Sequence, residues 1–148
     1  MTLKEAKREL RPIKDMSKDI KSVEDEIERL MAVATKMTTS YDPINISGTP
    51  KNRMEEAVIK LEEYKSRLSN LVVEDIKYRN KCLDKVERIE PKSLQKILIY
   101  YYFQNKTLEK TAEILDRSVR WTHEMYKTAL EKYSEISEHI MFLHVFLW

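Results

Sequence analysis

Apolar residues recur at gaps of three and four along almost the whole chain, and no stretch alternates with period two between turn signals. The first seam runs Leu3, Ala6, Leu10, Ile13, Met16, Ile20, Val23, Ile27, Leu30, Ala34 and Met37. Thr2 and Glu5 have the spacing of a capping box, which predicts a helix start at Leu3. Two consecutive gaps of three, from Leu10 to Met16, enclose Pro12. A missing backbone donor there predicts a kink or a fresh start, and then one helix over residues 13–38, roughly 40 Å long. A second seam runs Met54, Val58, Leu61, Tyr64 or Lys65, Leu68, Leu71, Val72, Ile76, Leu83, Val86 and Ile89. Between the seams, residues 39–52 (TSYDPINISGTPKN) hold the single glycine and two prolines, and read as a loop. Two seamed helices joined in this way fold back most simply as an antiparallel coiled-coil hairpin. The second helix, expected over 51–89, is longer than the first, which leaves part of its seam for another subunit or for the C-terminal residues.

Glu90-Pro91 ends that helix, because the residue before proline avoids the α region and proline opens a helix well. A third helix is expected over 94–104, packed through Leu94, Ile97, Leu98, Tyr101 and Tyr102. Residues 107–133 (TLEKTAEILDRSVRWTHEMYKTALEKY) then read as a short helix, a tight turn and a longer helix. Thr107 caps the first of these, with Leu108, Ala112 and Leu115 inward. Asp116-Arg117 turns the chain, and Ser118 caps the second, which faces inward with Thr122, Met125, Tyr126, Ala129 and Tyr133. Ala112 is small where two helices must cross closely, as in a helix-turn-helix. Arg120, His123, Glu124 and Lys127 lie on the other side and have side chains that bond base edges or phosphates. In residues 140–148 (IMFLHVFLW) only His144 is not apolar. This run is too short for a membrane span, and an exposed apolar patch of its kind marks an interface.

The expected fold is all-α. A helical hairpin over residues 1–90, with its loop at about 39–52, precedes a helix-turn-helix domain over 91–138 and an apolar tail over 139–148. One glycine and four prolines with 35% charged residues fit long helices. The net charge of +2 is too small to argue for nucleic acid by itself. Residues 94–148 hold seven Lys/Arg and seven Asp/Glu, but within 117–132 four basic residues face two acidic ones. A reader with so little charge needs a protein partner or further copies of itself.

Catalytic patterns are not found. His139 and His144 are five apart, on different helix faces, and His123-Glu124 lacks the spacing of a zinc-protease motif. The lone Cys82 forms no internal disulfide and fits a reducing cytoplasm. No enzyme, cofactor or metal site is expected. The run Tyr100 to Phe103 offers stacking surfaces, yet core packing explains it more simply.

Residues 107–133, with the preceding LQKILIYYYF, resemble the C-terminal helix-turn-helix of sigma factors, which reads the promoter −35 element. They resemble more closely the phage-encoded sigma-like regulators of the RinA/ArpU late-gene activator type. Those proteins also carry a charged N-terminal coiled-coil hairpin, so the resemblance is specific over 94–133 and architectural before it. It implies that Ser118 caps a reading helix and that Arg117, Arg120, Trp121, His123, Glu124 and Lys127 approach double-stranded DNA. In that setting Arg bonds guanine O6 and N7, and Glu accepts from cytosine N4. Several positions depart from the family pattern. Asp116 stands where glycine often turns, Arg117 where an apolar or aromatic residue is usual, and Thr122 where a branched aliphatic is usual. Val119 stands where a charge is frequent, and Trp121 lies four residues before Met125, within reach of the core edge. The implied function is a phage or prophage transcription regulator acting beside RNA polymerase. A homo-oligomer is expected, joined through the hairpin or the apolar tail, and no membrane partner. Two other readings stay open: a small terminase subunit in DNA packaging, and a helical interaction protein that never touches DNA.

Overall fold

A computed structural model describes residues 1–39 and 50–147, and every regular element among them is helical. The elements are α1 (Leu3–Thr39), α2 (Pro50–Val86), α3 (Lys92–Leu98), a π-helical turn (Ile99–Phe103), α4 (Leu108–Leu115) and α5 (Val119–Phe146). Most of the loop expected at 39–52 lies outside the described residues.

The capping box forms at the start of α1: Thr2 N–H donates to Glu5 Oε2 at 2.7 Å, and Glu5 N–H donates to Thr2 Oγ1 at 3.3 Å. The donated bond from Thr2 holds the Glu5 carboxyl below its ordinary pKa. Of the kink or fresh start expected at Pro12, the fresh start does not occur, because α1 runs through it unbroken. Proline removes its own backbone donor and crowds the carbonyl four residues back, a local cost. Leu10 and Ile13 on either side of it are fully buried, and that burial offsets the lost bond.

The inner line of α2 differs from the expected seam. Met54, Val58 and Ile76 are exposed, whereas Ala57 and Asp75 are buried. At the last of these the stripe passes through Asp75 (9% exposed) rather than Ile76 (51%). Apolarity alone cannot signal that choice, because the carboxylate is buried with Arg79, whose Nε donates to Asp75 Oδ2 at 2.7 Å.

The chain forms two compact units, Lys18–Glu74 and Met1–Ser17 with Asp75–Trp148. In the first, Val23, Leu30 and Ala57 are buried, and Asp19, Ser22 and Glu26 line one hollow with Tyr64, Arg67 and Leu71. In the second, a single core joins Ala6, Leu10 and Ile13 of α1, Cys82 and Val86 of α2, Ile89, and the helices that follow. The core therefore crosses the boundary expected near residue 90. Helices as short as α3 and α4 cannot bury their apolar faces against one another alone, and the ends of the two long helices cover them.

The third helix, expected as one piece over 94–104, is α3 followed by the π turn, with Gln104 N–H donating to Ile99 O at 2.9 Å. The wider turn faces Tyr102 inward, where its hydroxyl lies 2.6 Å from the Tyr126 hydroxyl. Tyr101 packs edge-on against both rings, and Lys14 Nζ sits 3.4 Å from its centroid. Arg79 also donates to Ser17 Oγ and, at 2.9 Å, to Phe103 O, which ties the end of the π turn to α1 and α2. The core explanation for the tyrosine run is the one the packing displays.

Candidate nucleic-acid interface

Thr107 caps α4 by accepting from Lys110 N–H at 3.0 Å, and Thr111 Oγ1 donates to Thr107 O at 2.8 Å. Leu108, Thr111 and Ala112 are buried and Leu115 is half-buried. The helix ends at Asp116 in the left-handed conformation, φ 54°. An Asp tolerates that region better than most side chains, which is how a turn often made by glycine is made without one. Arg117 N–H returns to Ala112 O at 3.0 Å, and Asp116 N–H to Glu113 O at 3.2 Å. These bonds satisfy the last carbonyls of α4 and turn the chain immediately into α5.

Ser118 caps α5, accepting from Trp121 N–H at 3.0 Å. Thr122 is fully buried, and its hydroxyl donates to Ser118 O at 3.0 Å, so it carries no unsatisfied group where an aliphatic residue is usual. Tyr126, Ala129, Leu130 and Tyr133 continue the buried stripe of α5, while Met125 is only half-buried. Burial pushes the Tyr126 and Tyr102 hydroxyls above the ordinary tyrosine pKa.

The outward residues fall on one side of the first two turns of α5. Arg120 is 91% exposed, and His123, Glu124 and Lys127 are exposed beside it at helical spacing. Arg120 Nε lies 3.5 Å from Glu124 Oε1, and His123 Nε2 lies 3.9 Å from Glu109 Oε1. Both pairs are open to water and therefore weak, so a phosphate can displace the acid at little cost. Lys127 makes no ion pair among the described residues. Arg117 is exposed in the turn, with its guanidinium 4.9 Å from the Trp121 ring centroid. Trp121 is half-buried and packs against the core, and its ring also lies beside the Arg117 guanidinium. The seven expected residues thus lie together at one helix end and the turn before it, and all but Trp121 are exposed.

Two apolar neighbours add to this end of the molecule. Val119 and Ile114 are both exposed there. Their sequence signal is their position outside the 3–4 stripe of α5 and α4 respectively. Elsewhere, Glu9, Lys85 and Tyr133 form a largely buried polar cluster beside Cys82. Burial pushes the Cys82 thiol above its ordinary pKa, which makes it a poor nucleophile. Among the described residues no group of three or more His, Cys, Asp or Glu is arranged to hold a metal ion. No described helix is long and apolar enough to cross a membrane.

No protein-family model, curated protein or solved structure matches the chain.

Proposed function

We propose that α4, the Asp116 turn and α5 act as a helix-turn-helix that binds double-stranded DNA, and that the protein is a phage or prophage transcription regulator working beside RNA polymerase. The observation that carries this reading is the set of exposed side chains Arg120, His123, Glu124 and Lys127 on the capped first turns of α5. A helix so presented fits a major groove about 12 Å wide, with Arg120 aimed at guanine and Arg117 and Lys127 at phosphates. The resemblance of residues 94–133 to sigma-like regulators supports the same assignment. In this reading residues 18–39 and 50–74 are the arms of an antiparallel coiled-coil hairpin that offers a contact surface for polymerase or another chain. The region's near-neutral charge makes the reader weak by itself, since affinity grows with the number of phosphates neutralised. Further contacts then come from polymerase or from an oligomer.

The test is a gel-shift titration against promoter fragments from the protein's own genomic surroundings. Replacing Arg120 and Lys127 by Ala should weaken the shift at least tenfold, and an unchanged affinity removes this face from the mechanism.

A second reading is a helical interaction protein with no DNA role. It is favoured by the balance of seven Lys/Arg against seven Asp/Glu over residues 94–148 and by the contact of Arg120 with Glu124. It predicts no salt-dependent association with DNA at low ionic strength.

A further inference from the structure

The last two turns of α5 are apolar except for His144 and stand in water. Met141, Phe142, Leu143, Val145, Phe146 and Leu147 are 63%, 57%, 40%, 72%, 71% and 76% exposed. The outward side of α5 carries Glu124, Glu131 and Glu135 along most of its length, and the same helical line continues into Phe142 and Phe146. Those two rings lie 4.3 Å apart and form one aromatic surface. A helix that is apolar on every side is ordinarily buried by neighbours.

We propose that this segment pairs with the same segment of a second copy of this chain, with Phe142 and Phe146 at the centre of the contact. Area is the first argument. The six side chains present on the order of 700 Å² to water, taking a whole aromatic side chain as about 150–250 Å². A standard interface takes about 800 Å² from each partner, and a two-helix contact covers only the side facing the partner, so pairing of the tails is a small interface at the low end of the specific range. Composition is the second. The segment 140–147 has no Asp, Glu, Lys or Arg, and only His144 is polar, so it offers little to fix register against a polar partner. An identical apolar surface is its natural complement. A lipid surface is a poorer fit, because interfacial helices carry a basic polar face, whereas the turns before this segment carry Glu131, Glu135 and Glu138 against the single Lys132 and His139. Position is the third. From Trp121 to Leu143 the helix rises about 33 Å, so pairing at the tail leaves Arg120, His123 and Lys127 open. Where the DNA-reading assignment holds, pairing also joins two weakly charged readers into one binder and doubles the phosphates neutralised.

The experiment is sedimentation velocity of the full chain, without DNA, over a wide micromolar range. The expected species is at least twice the 17.7 kDa chain. Phe142→Glu with Phe146→Glu should return it to the monomer with an unchanged circular dichroism spectrum, and the milder Phe142→Ser with Phe146→Ser should weaken association at least tenfold. Val73→Glu with Ile76→Glu on α2 should leave the assembly intact. A wild-type monomer overturns the proposal, including one that instead binds neutral phosphatidylcholine vesicles. So does an assembly that survives both tail variants or is lost in the α2 variant. The readings are separable: a monomer that still shifts DNA removes only the pairing, and an assembly that ignores DNA removes only the reader.

Discussion

Tyr133 Oη donates to Glu9 Oε1 at 2.8 Å, joining α5 to the first turns of α1 across 124 residues of sequence. Lys85 Nζ reaches the same carboxylate oxygen at 2.5 Å, and both charged side chains are more than four-fifths buried. Tyr78 Oη donates to the backbone carbonyl of Glu9. One carboxylate thus links α1, α2 and α5 in the interior of the larger compact unit.

Glu9→Ala should therefore cost about 3 kcal/mol, because it leaves a mostly buried ammonium and a buried hydroxyl without their acceptor. Glu9→Leu combined with Lys85→Leu should recover much of the loss, since removing both partners removes the uncompensated charge. Urea unfolding of the two variants checks this, and equal destabilisation would show that the pair itself is not the cause.

Alkaline stability follows from the same cluster. Burial raises the Tyr133 hydroxyl well above the ordinary value of 10.0, and Tyr78 is pushed up to about 12, again chiefly by burial. In the unfolded chain these hydroxyls ionise near 10, so unfolding releases protons only above that pH. The Tyr78 contribution is intact below pH 10 and is lost as pH rises through 12, while that of Tyr133 goes on falling above it. Thermal melts should be level near pH 7, begin to fall towards pH 9 because the Cys82 thiol is raised as well, and fall steeply beyond 10, and Tyr78→Phe should flatten the steep part.

The core role of the N-terminal helix can be read from the C-terminal one. Leu10→Ala removes a fully buried side chain and should cost about 2–5 kcal/mol. In a Trp148→Phe background the fluorescence of Trp121, which packs on that core, should report the same loss. An unshifted Trp121 transition would mean that α5 is held without α1.

The caps make smaller contributions. Ser118→Ala deletes the acceptor for Trp121 N–H and should cost about 1 kcal/mol in chemical denaturation. Ser118→Asp should retain most of the stability, because a carboxylate caps equally well.

For DNA association, Lys127→Ala should weaken binding to all sequences alike and lower the slope of log K against log salt by about 1. Arg120→Ala should instead erode the preference for one sequence over another. If both changes acted only on the slope, α5 would be gripping phosphates without reading bases.

Much of this protein is legible in one dimension. The 3–4 spacing of apolar residues marks the long helices, Thr2 with Glu5 marks the first start, and Thr107 and Ser118 mark the two starts around the Asp116 turn. These are local matters, decided by caps and by which side of a helix is apolar. The side of α5 that carries Arg120, His123, Glu124 and Lys127 is legible for the same reason, being the complement of the buried stripe. What the sequence could not determine depends on partners far along the chain. Asp75 displaces Ile76 from the inner line of α2 because Arg79 is positioned to receive it. Pro12 passes through α1 because Leu10 and Ile13 are both buried in one core. The π turn at Ile99–Phe103 exists where Tyr102 meets Tyr126. Local propensity names the helices, but only burial against residues distant in sequence decides which polar groups go inside, where a helix may continue through a proline, and which segments share a core.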